Sequence, residues 1–212
     1  RLAGRPVLRI GAGVDPAFAP GDAPSTPPVV IGCVSRFVPR KGQSRVLEAC
    51  AALRAEGLEV EALMVGTGRL ERRLRAKARR LGVPTRFEIA VPFADLPARY
   101  RQAHIFVMPC RSRWLGLEVE GFGVVFLEAA ASGLPVVAGD SGGAPETVRP
   151  GTTGFVVDRD DALLDALRTL VADAGLRREM GSAGAERVAR EYSWDAVAGR
   201  LFDGFSTVGR ED

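Results

Sequence analysis

The sequence has few of the residues that hold metal ions or disulfides. Its 212 residues include one histidine, His104, and three cysteines, none of which forms a CxxC pair. A single histidine excludes His-rich metal sites and HExxH chemistry, and it makes His104 the one candidate base for a serine-type triad. Three widely spaced cysteines favour buried thiols in a reducing cytosol over a structural zinc site. We expect no metal site and a structural role for His104.

Long apolar runs and a strong charge are also missing. No apolar stretch approaches the ~18–20 residues of a membrane-spanning helix, and the N-terminus has no apolar signal core. The net charge of +3 is mild, although 29 residues are basic and all but two of these are arginines. We expect no nucleic-acid partner, since an anionic small molecule or a lipid surface suits this charge equally well.

Six short apolar runs alternate with helical patterns along most of the chain. Because such runs are buried on both faces in a parallel sheet, the alternation predicts an α/β fold, a Rossmann-like doubly wound sheet of about six strands. The predicted strands are Val29–Val34, Val60–Val65, Arg86–Ile89, Ile105–Met108, Pro135–Ala138 and Gly154–Val157. The helical patterns between them are Gln43–Glu56, Arg69–Leu81, Asp95–Ala103 and Phe122–Ser132.

The two ends of the chain have a different character. Residues 1–28 are rich in proline, which predicts an extended lead-in, and residues 29–192 form the predicted domain. After the last strand we predict three consecutive helices, with Ser193 as the N-cap of the third. These helices are Asp160–Ala172, Leu176–Tyr192 and Trp194–Phe205, and the last belongs to a C-terminal segment of residues 193–212.

Two glutamates frame the most informative stretch, Glu120–Glu128. Gly121 and Gly123 directly precede an apolar helix, whose first backbone N–H groups would therefore be bare, and a bare helix N-terminus attracts anions. Glu128 lies within that apolar helix, where a carboxylate needs a partner. A structural glutamate that faces an arginine is an equally good interpretation of Glu128 on these residues alone.

A cluster of cations follows the first predicted strand. The segment Ser35–Gly42 contains Arg36, Arg40 and Lys41, and the carboxyl end of such a strand faces the crevice where open α/β sheets bind ligands. Arginine can donate two parallel hydrogen bonds to phosphate oxygens, and lysine supplies a compact positive charge. Taken alone, the segment is more simply interpreted as a solvated basic turn.

Two further glycine-containing turns carry weaker signals. Val65–Gly68 lacks the third glycine of a dinucleotide-binding fingerprint, because Glu71 occupies that position, so NAD binding is disfavoured. We interpret it as a tight turn between a strand and a helix, close to a ligand. Ser141–Glu146 is a flexible turn for which a plain helix cap is the simplest interpretation.

Together these motifs resemble one family. The chain is similar, from about Gly11 to Phe205, to the C-terminal, nucleotide-sugar-binding domain of retaining glycosyltransferases of family 4, which have the GT-B fold. The residues that carry the resemblance are Arg36 with Lys41, the pair Glu120 and Glu128 with its glycines, and the Ser141–Glu146 turn. The loop Pro109–Glu120 looks most like the phosphatidylinositol-mannoside mannosyltransferases of actinobacteria.

The resemblance implies roles for these positions. Arg36 and Lys41 would neutralise the donor diphosphate, Glu120 would contact the transferred sugar, and these three form the predicted catalytic set. Glu128 would accept hydrogen bonds from the ribose diol, and the base would rest near Ile89 and Val91. The backbone of Gly121, Phe122, Gly123 and Val124 completes the expected donor site.

The implied reaction is transfer of a hexose, with GDP-mannose as the favoured donor and a UDP-sugar as the alternative, to a lipid or glycan acceptor. No cofactor or metal is expected beyond this co-substrate, since cations and a helix N-terminus can stabilise the leaving diphosphate. In this family the acceptor belongs to an N-terminal domain, so we expect residues 1–212 alone to bind donor without turnover. A sugar-nucleotide epimerase and a non-catalytic nucleotide-binding module are the alternatives.

The pattern Arg69–Leu81 is unusually basic. A solvated helix face is its simplest interpretation. Because the resemblance implies a lipid acceptor, we also consider contact with anionic headgroups, and we expect a cytoplasmic protein that lies peripherally on the inner face of the plasma membrane.

Overall fold

The computed structural model describes residues 11–21 and 27–208. Within them lies one sheet of six parallel strands in the order β3-β2-β1-β4-β5-β6. The strands are β1 (Val29–Val34), β2 (Val60–Val65), β3 (Thr85–Glu88), β4 (Ile105–Met108), β5 (Val136–Gly139) and β6 (Gly154–Val157). The predicted fold class is confirmed, and the predicted bounds hold for all strands except β3 and β5, which each shift by one residue.

Seven α-helices lie in the described part of the chain. They are α1 (Gln43–Ala55), α2 (Glu71–Leu81), α3 (Leu96–Tyr100), α4 (Val124–Ala131), α5 (Asp160–Ala172), α6 (Ala174–Glu191) and α7 (Trp194–Val208). Helix α3 is shorter than predicted, because a 3-10 turn over Phe93–Asp95 precedes it and Ala103 bonds back to Tyr100. Helix α4 begins two residues later than predicted, because Gly123 is left-handed with φ 76°.

The helices cover both faces of the sheet. Helix α1 packs against α2 and α5 on one face, whereas α4 packs against α6 on the other. All six residues of β1 are buried, as expected for a central strand covered on both sides. The three cysteines are buried and unbonded, which confirms the predicted thiols, and burial raises the pKa of Cys50 to about 12.

The described part of the lead-in packs on this domain. The Val14 N–H donates to the Tyr192 carbonyl at 2.8 Å, and Phe18 is buried. Ser193 accepts a hydrogen bond from the Ala196 N–H at 3.2 Å, which confirms it as a cap of α7. Residues 1–10, 22–26 and 209–212 of the predicted end segments lie outside the described residues.

The strand order determines where a ligand can bind. The chain order of the strands reverses between the neighbours β1 and β4, and in open parallel sheets ligands bind at the carboxyl ends of the strands beside such a reversal. The loops that leave β1 and β4 there are the two that carry the predicted cations and glutamates. None of the helices in the described residues has the length and apolar character needed to cross a bilayer.

Candidate functional site

A buried ion pair joins the two loops at the reversal point. Lys41 lies in the 3-10 turn Pro39–Lys41 after β1, and Glu120 lies at the end of the loop between β4 and α4. The Lys41 Nζ is 2.6 Å from the Glu120 Oε2, and both residues are buried, with 7% and 6% of their surfaces exposed. Buried charges are stable only when paired, so each of these residues fixes the position of the other.

Arg40 reinforces the same pair. Its Nη1 donates to the Glu120 Oε2 at 2.6 Å, and its Nε lies 3.7 Å from the Glu118 Oε1. The Arg40 carbonyl accepts the Arg111 N–H at 3.0 Å, so the two loops are also joined through the backbone. Two cations therefore meet one glutamate at the carboxyl edge of the sheet.

Arg36 does not belong to this group of ion pairs. Its side chain is exposed and has no ion pair with any residue that the structure describes. The interpretation of Ser35–Gly42 as a merely solvated turn is wrong for Arg40 and Lys41, because both contact Glu120. Arg36 remains a predicted diphosphate ligand, and its exposed guanidinium is available to an incoming anion.

Backbone N–H groups are unpaired beside these cations. The N–H groups of residues 121–125 have no acceptor in the described part of the chain, and the first bonded one is that of Phe126, which donates to Gly123 at 3.0 Å. The left-handed φ of Gly123 turns the chain into α4 at this point. The start of α4 can therefore bind an anion, as the sequence predicts.

The Ser141–Glu146 turn supports the Glu120 loop. The Gly143 N–H donates to the carbonyls of Glu120 at 3.2 Å and Gly121 at 2.8 Å. The Ser141 Oγ accepts the Glu120 N–H at 3.1 Å and lies 3.0 Å from the Ser112 Oγ. The turn does start a 3-10 helix, Ala144–Thr147, but the interpretation as a plain cap missed its contacts to the site.

Glu128 is buried in α4 and bonds to a tyrosine. The Tyr100 hydroxyl donates to the Glu128 Oε2 at 2.8 Å. Burial raises the pKa of the Glu128 carboxyl, and the bond from Tyr100 partly opposes that rise. The alternative in which Glu128 faces an arginine is wrong within the described residues, where Tyr100 is its hydrogen-bond partner.

The remaining predicted positions lie at the same edge of the sheet. Ile89 and Val91 follow β3 and flank Ala90, which has a strained φ of 54° for a residue other than glycine. The Phe37 N–H donates to the Thr67 carbonyl at 2.7 Å, so the Val65–Gly68 turn packs on the loop after β1. The predicted ligands thus come from the loops after β1, β3 and β4 and from helix α4.

His104 lies at the opposite edge. Its Nδ1 accepts the Val30 N–H at 2.8 Å, next to the start of β4, so its contact is structural. In the described ranges no three acidic, cysteine or histidine side chains converge as metal ligands do. The expectation that the reaction needs no metal stays a prediction.

The model of the family described as "Glycosyl transferases group 1" matches residues 17–187. The chain belongs to this glycosyltransferase family. Two similar relatives are GDP-mannose-dependent transferases of actinobacteria. The alpha-(1-6)-phosphatidylinositol monomannoside mannosyltransferase of Mycobacterium tuberculosis is 43% identical over 180 residues, which are 83% of this chain and 46% of the relative. The transferase named for the monoacylated form of that acceptor, from Corynebacterium glutamicum, is 44% identical over 174 residues, or 81% and 45% of the two chains.

Solved structures show the same fold. Sucrose-phosphate synthase from Thermosynechococcus elongatus superimposes with a TM-score of 0.79 at 25% identity, over 96% of this glycosyltransferase chain and 53% of the synthase. The C-terminal domain of a group 1 glycosyltransferase from Francisella tularensis, solved by itself, gives a TM-score of 0.71 at 24% identity and covers 86% of this chain and 100% of that one. The chain spans about half the length of the curated relatives it matches.

Two side chains of the candidate site in this glycosyltransferase chain were missing from the predicted set. Arg40 lies in the Ser35–Gly42 segment, and its position beside Lys41 in a turn after a strand could have indicated that it belongs to the site. Tyr100 had no signal of its own, because it reaches Glu128 only through the packing of α3 against α4. Both contact a glutamate that the sequence had singled out.

Proposed function

We propose that this chain is the donor-binding half of a retaining mannosyltransferase that uses GDP-mannose and acts on a phosphatidylinositol-mannoside lipid. The observation that carries the proposal is the meeting of Lys41 and Arg40 with Glu120 beside the unpaired N–H groups at the start of α4. The mannose donor and the lipid acceptor in this proposal come from the printed names of the relatives. The family membership favours a transferase over the epimerase alternative.

In the proposed reaction the sugar leaves a nucleoside diphosphate, whose negative charge grows in the transition state. Lys41, Arg40 and Arg36 supply positive charge, and the N–H groups of residues 121–125 supply hydrogen bonds to the phosphate oxygens. Groups that are already fixed before the charge develops stabilise it most, and Lys41 is fixed by its bond to Glu120.

The two glutamates then have separate tasks. Glu120 accepts hydrogen bonds from hydroxyls of the transferred sugar and keeps the cations in place. Glu128 accepts a hydrogen bond from each of the two ribose hydroxyls, since an ionised carboxylate has about four acceptor positions. The nucleobase lies against Ile89 and Val91 after β3.

Calorimetric titration of the chain with GDP, UDP and ADP tests the donor. We expect GDP to bind at least about tenfold more tightly than UDP, which corresponds to about 1.4 kcal/mol. Incubation with GDP-mannose and a phosphatidylinositol-mannoside should give no glycosylated product, because the proposed acceptor site lies outside this half. Tighter binding of UDP would contradict the mannose assignment, and robust transfer would contradict the division of the site.

We further propose that helix α2 attracts an anionic membrane. Five exposed arginines, one just before α2 and four within it, have no acidic partner in the described residues: Arg69, Arg72, Arg73, Arg79 and Arg80. We call them the arginine face. By contrast, Arg75 pairs with Glu71 at 3.0 Å, and Lys77 pairs with Glu48. Unpaired cations on one helix face create a positive field that falls off within a Debye length.

Co-sedimentation with vesicles tests the arginine face. Binding to vesicles that contain phosphatidylinositol should weaken steeply as the salt concentration rises from about 50 to about 300 mM, because salt screens the attraction between exposed charges. The double variant Arg72→Gln/Arg73→Gln should bind about 10- to 30-fold more weakly, since each surface cation contributes about 1 kcal/mol. The control Arg159→Gln/Arg190→Gln removes the same charge elsewhere. Equal loss in both double variants, salt-insensitive binding, or equal binding to zwitterionic vesicles would each overturn the proposal.

A further inference from the structure

Tyr100 is a buried residue whose one polar atom points at the proposed ribose site. It ends α3 with 1% of its surface exposed. Its hydroxyl lies 2.8 Å from the Glu128 Oε2 and 3.4 Å from the Val125 carbonyl. A hydroxyl has one proton to donate, and the shorter, charge-assisted bond to the carboxylate is the stronger of the two.

The ring of Tyr100 cannot move away from Glu128. Phe18 of the lead-in contacts it edge-on at 5.5 Å between centroids, and Phe106 of β4 lies 5.7 Å away. Phe18 also contacts Phe93, which follows the loop of Ile89 and Val91, at 5.7 Å. Aromatic rings packed on several sides hold the hydroxyl at a fixed point.

Glu128 depends on this one contact for its orientation. The Tyr100 bond is the sole hydrogen bond to the Glu128 side chain in the described residues. The bond occupies one acceptor position on Oε2 and leaves Oε1 and the rest of Oε2 for a ligand. A glutamate with three rotatable bonds would otherwise lose entropy when it becomes ordered on binding.

We propose that Tyr100 is a positioning residue, which holds the Glu128 carboxylate in the orientation that accepts the two hydroxyls of a ribose. This inference rests on the proposed function, because it requires Glu128 to meet the ribose. It adds a residue from α3 to a site otherwise built from the loops after β1, β3 and β4 and from helix α4.

The same bond favours the charged form of Glu128. Burial raises the pKa of Glu128, and the Tyr100 hydroxyl lowers it by stabilising the carboxylate. Burial and the nearby Glu128 charge raise the pKa of Tyr100 well above its ordinary value, so the hydroxyl keeps its proton. A negative charge on Cys33 of β1 would also raise the pKa of Tyr100, but burial raises the pKa of the Cys33 thiol to about 11, so the thiol stays neutral. Loss of the hydroxyl should therefore raise the pKa of Glu128 further.

The test is Tyr100→Phe, which removes the hydroxyl and keeps the ring, with GDP and 2′-deoxy-GDP titrated from acidic to neutral pH. In the wild-type chain, affinity for GDP should fall as the pH falls through the pKa of Glu128, because the protonated acid accepts poorly. In the variant we expect GDP to bind about five- to tenfold more weakly at neutral pH, as for loss of one ordinary hydrogen bond, because Tyr100 acts on the ribose only through Glu128. The acid loss should begin at a higher pH, and the preference for GDP over 2′-deoxy-GDP should shrink.

Tyr192→Phe is the matched control, since Tyr192 is the other tyrosine of the chain and its hydroxyl accepts from the Arg187 Nη2 at 3.2 Å. It should leave the pH profile and the ribose preference unchanged. Glu128→Asp keeps the negative charge but moves the carboxylate away from the Tyr100 hydroxyl. It should therefore show the same lower GDP affinity and the same smaller preference for GDP over 2′-deoxy-GDP as Tyr100→Phe. This second variant keeps the test decisive if Tyr100→Phe folds poorly.

The outcomes separate this inference from the proposed function. If Glu128→Gln binds GDP as tightly as the wild type, the role of Glu128 at the ribose fails, and the positioning role fails with it. If Glu128→Gln weakens binding but Tyr100→Phe leaves both the pH profile and the ribose preference at wild-type values, Tyr100 alone is refuted. In the double variant, Tyr100→Phe should add no further loss to Glu128→Gln.

Discussion

Lys41→Ala should weaken GDP binding about 30-fold and leave guanosine binding unchanged. Lys41 lies 2.6 Å from Glu120 beside the unpaired N–H groups, where a diphosphate would meet its Nζ. A lost charge-assisted contact costs about 2 kcal/mol, or about 30-fold in affinity. Guanosine has no phosphate, so its binding depends on the base and the ribose alone. Parallel titrations with the two ligands measure the difference.

Lys77→Ala is the matched control, because Lys77 is the other lysine of the chain and bonds to Ser44 on the α1 side. Its loss should leave the affinity for GDP unchanged and change the free energy of unfolding by less than about 1 kcal/mol. Thermal unfolding of Lys41→Ala should show a larger loss, since Glu120 then keeps Arg40 as its one remaining cation. Equal weakening of GDP and guanosine would mean that Lys41 acts through the fold and does not contact the phosphates.

The sheet was predictable because its four central strands, β2, β1, β4 and β5, are short, largely apolar and buried on both sides. In β1 every residue is buried, and a continuous apolar run indicates such a strand directly from the sequence. The predicted start of α4 was less exact, because the left-handed conformation of Gly123 makes the helix begin two residues later than the sequence pattern indicates. Local patterns thus fix the elements, and backbone geometry adjusts their ends.

The side-chain contacts of the site were harder to predict, because they join residues far apart in the chain. Arg40 and Glu120 are separated by 80 positions, and Tyr100 and Glu128 by 28. Motif spacing identified the lysine in the loop after β1, the glycines and Glu120 in the loop after β4, and Glu128 in the helix that follows. It could not decide between Arg36 and Arg40 as the partner of Glu120, because that depends on how the 3-10 turn orients each side chain.

Gly142 packs directly against the backbone of Glu120. Of the variants proposed for this protein, we expect Gly142→Ala to have the largest effect on folding. Its φ is 56°, and a Cβ there would lie 1.8 Å from the Glu120 carbonyl oxygen, far inside contact distance. The Glu120 carbonyl would have to move, which would break its bond from Gly143 and shift Glu120 from Lys41. We expect a loss of about 4 kcal/mol in the free energy of unfolding, or about 10 °C in Tm, and loss of GDP binding.

Gly151→Ala separates the steric clash from the backbone strain. Gly151 has a φ of 75°, similarly left-handed, but a Cβ at this position would have nothing within 4 Å. The control therefore retains the strain of a left-handed alanine, about 1 kcal/mol, without the collision, and it should bind GDP normally. Thermal and denaturant unfolding of the two variants give the comparison. Equal destabilisation would mean that the Glu120 loop yields easily, and the fixed position of Lys41, on which the proposed stabilisation of the leaving diphosphate depends, would then lose its structural basis.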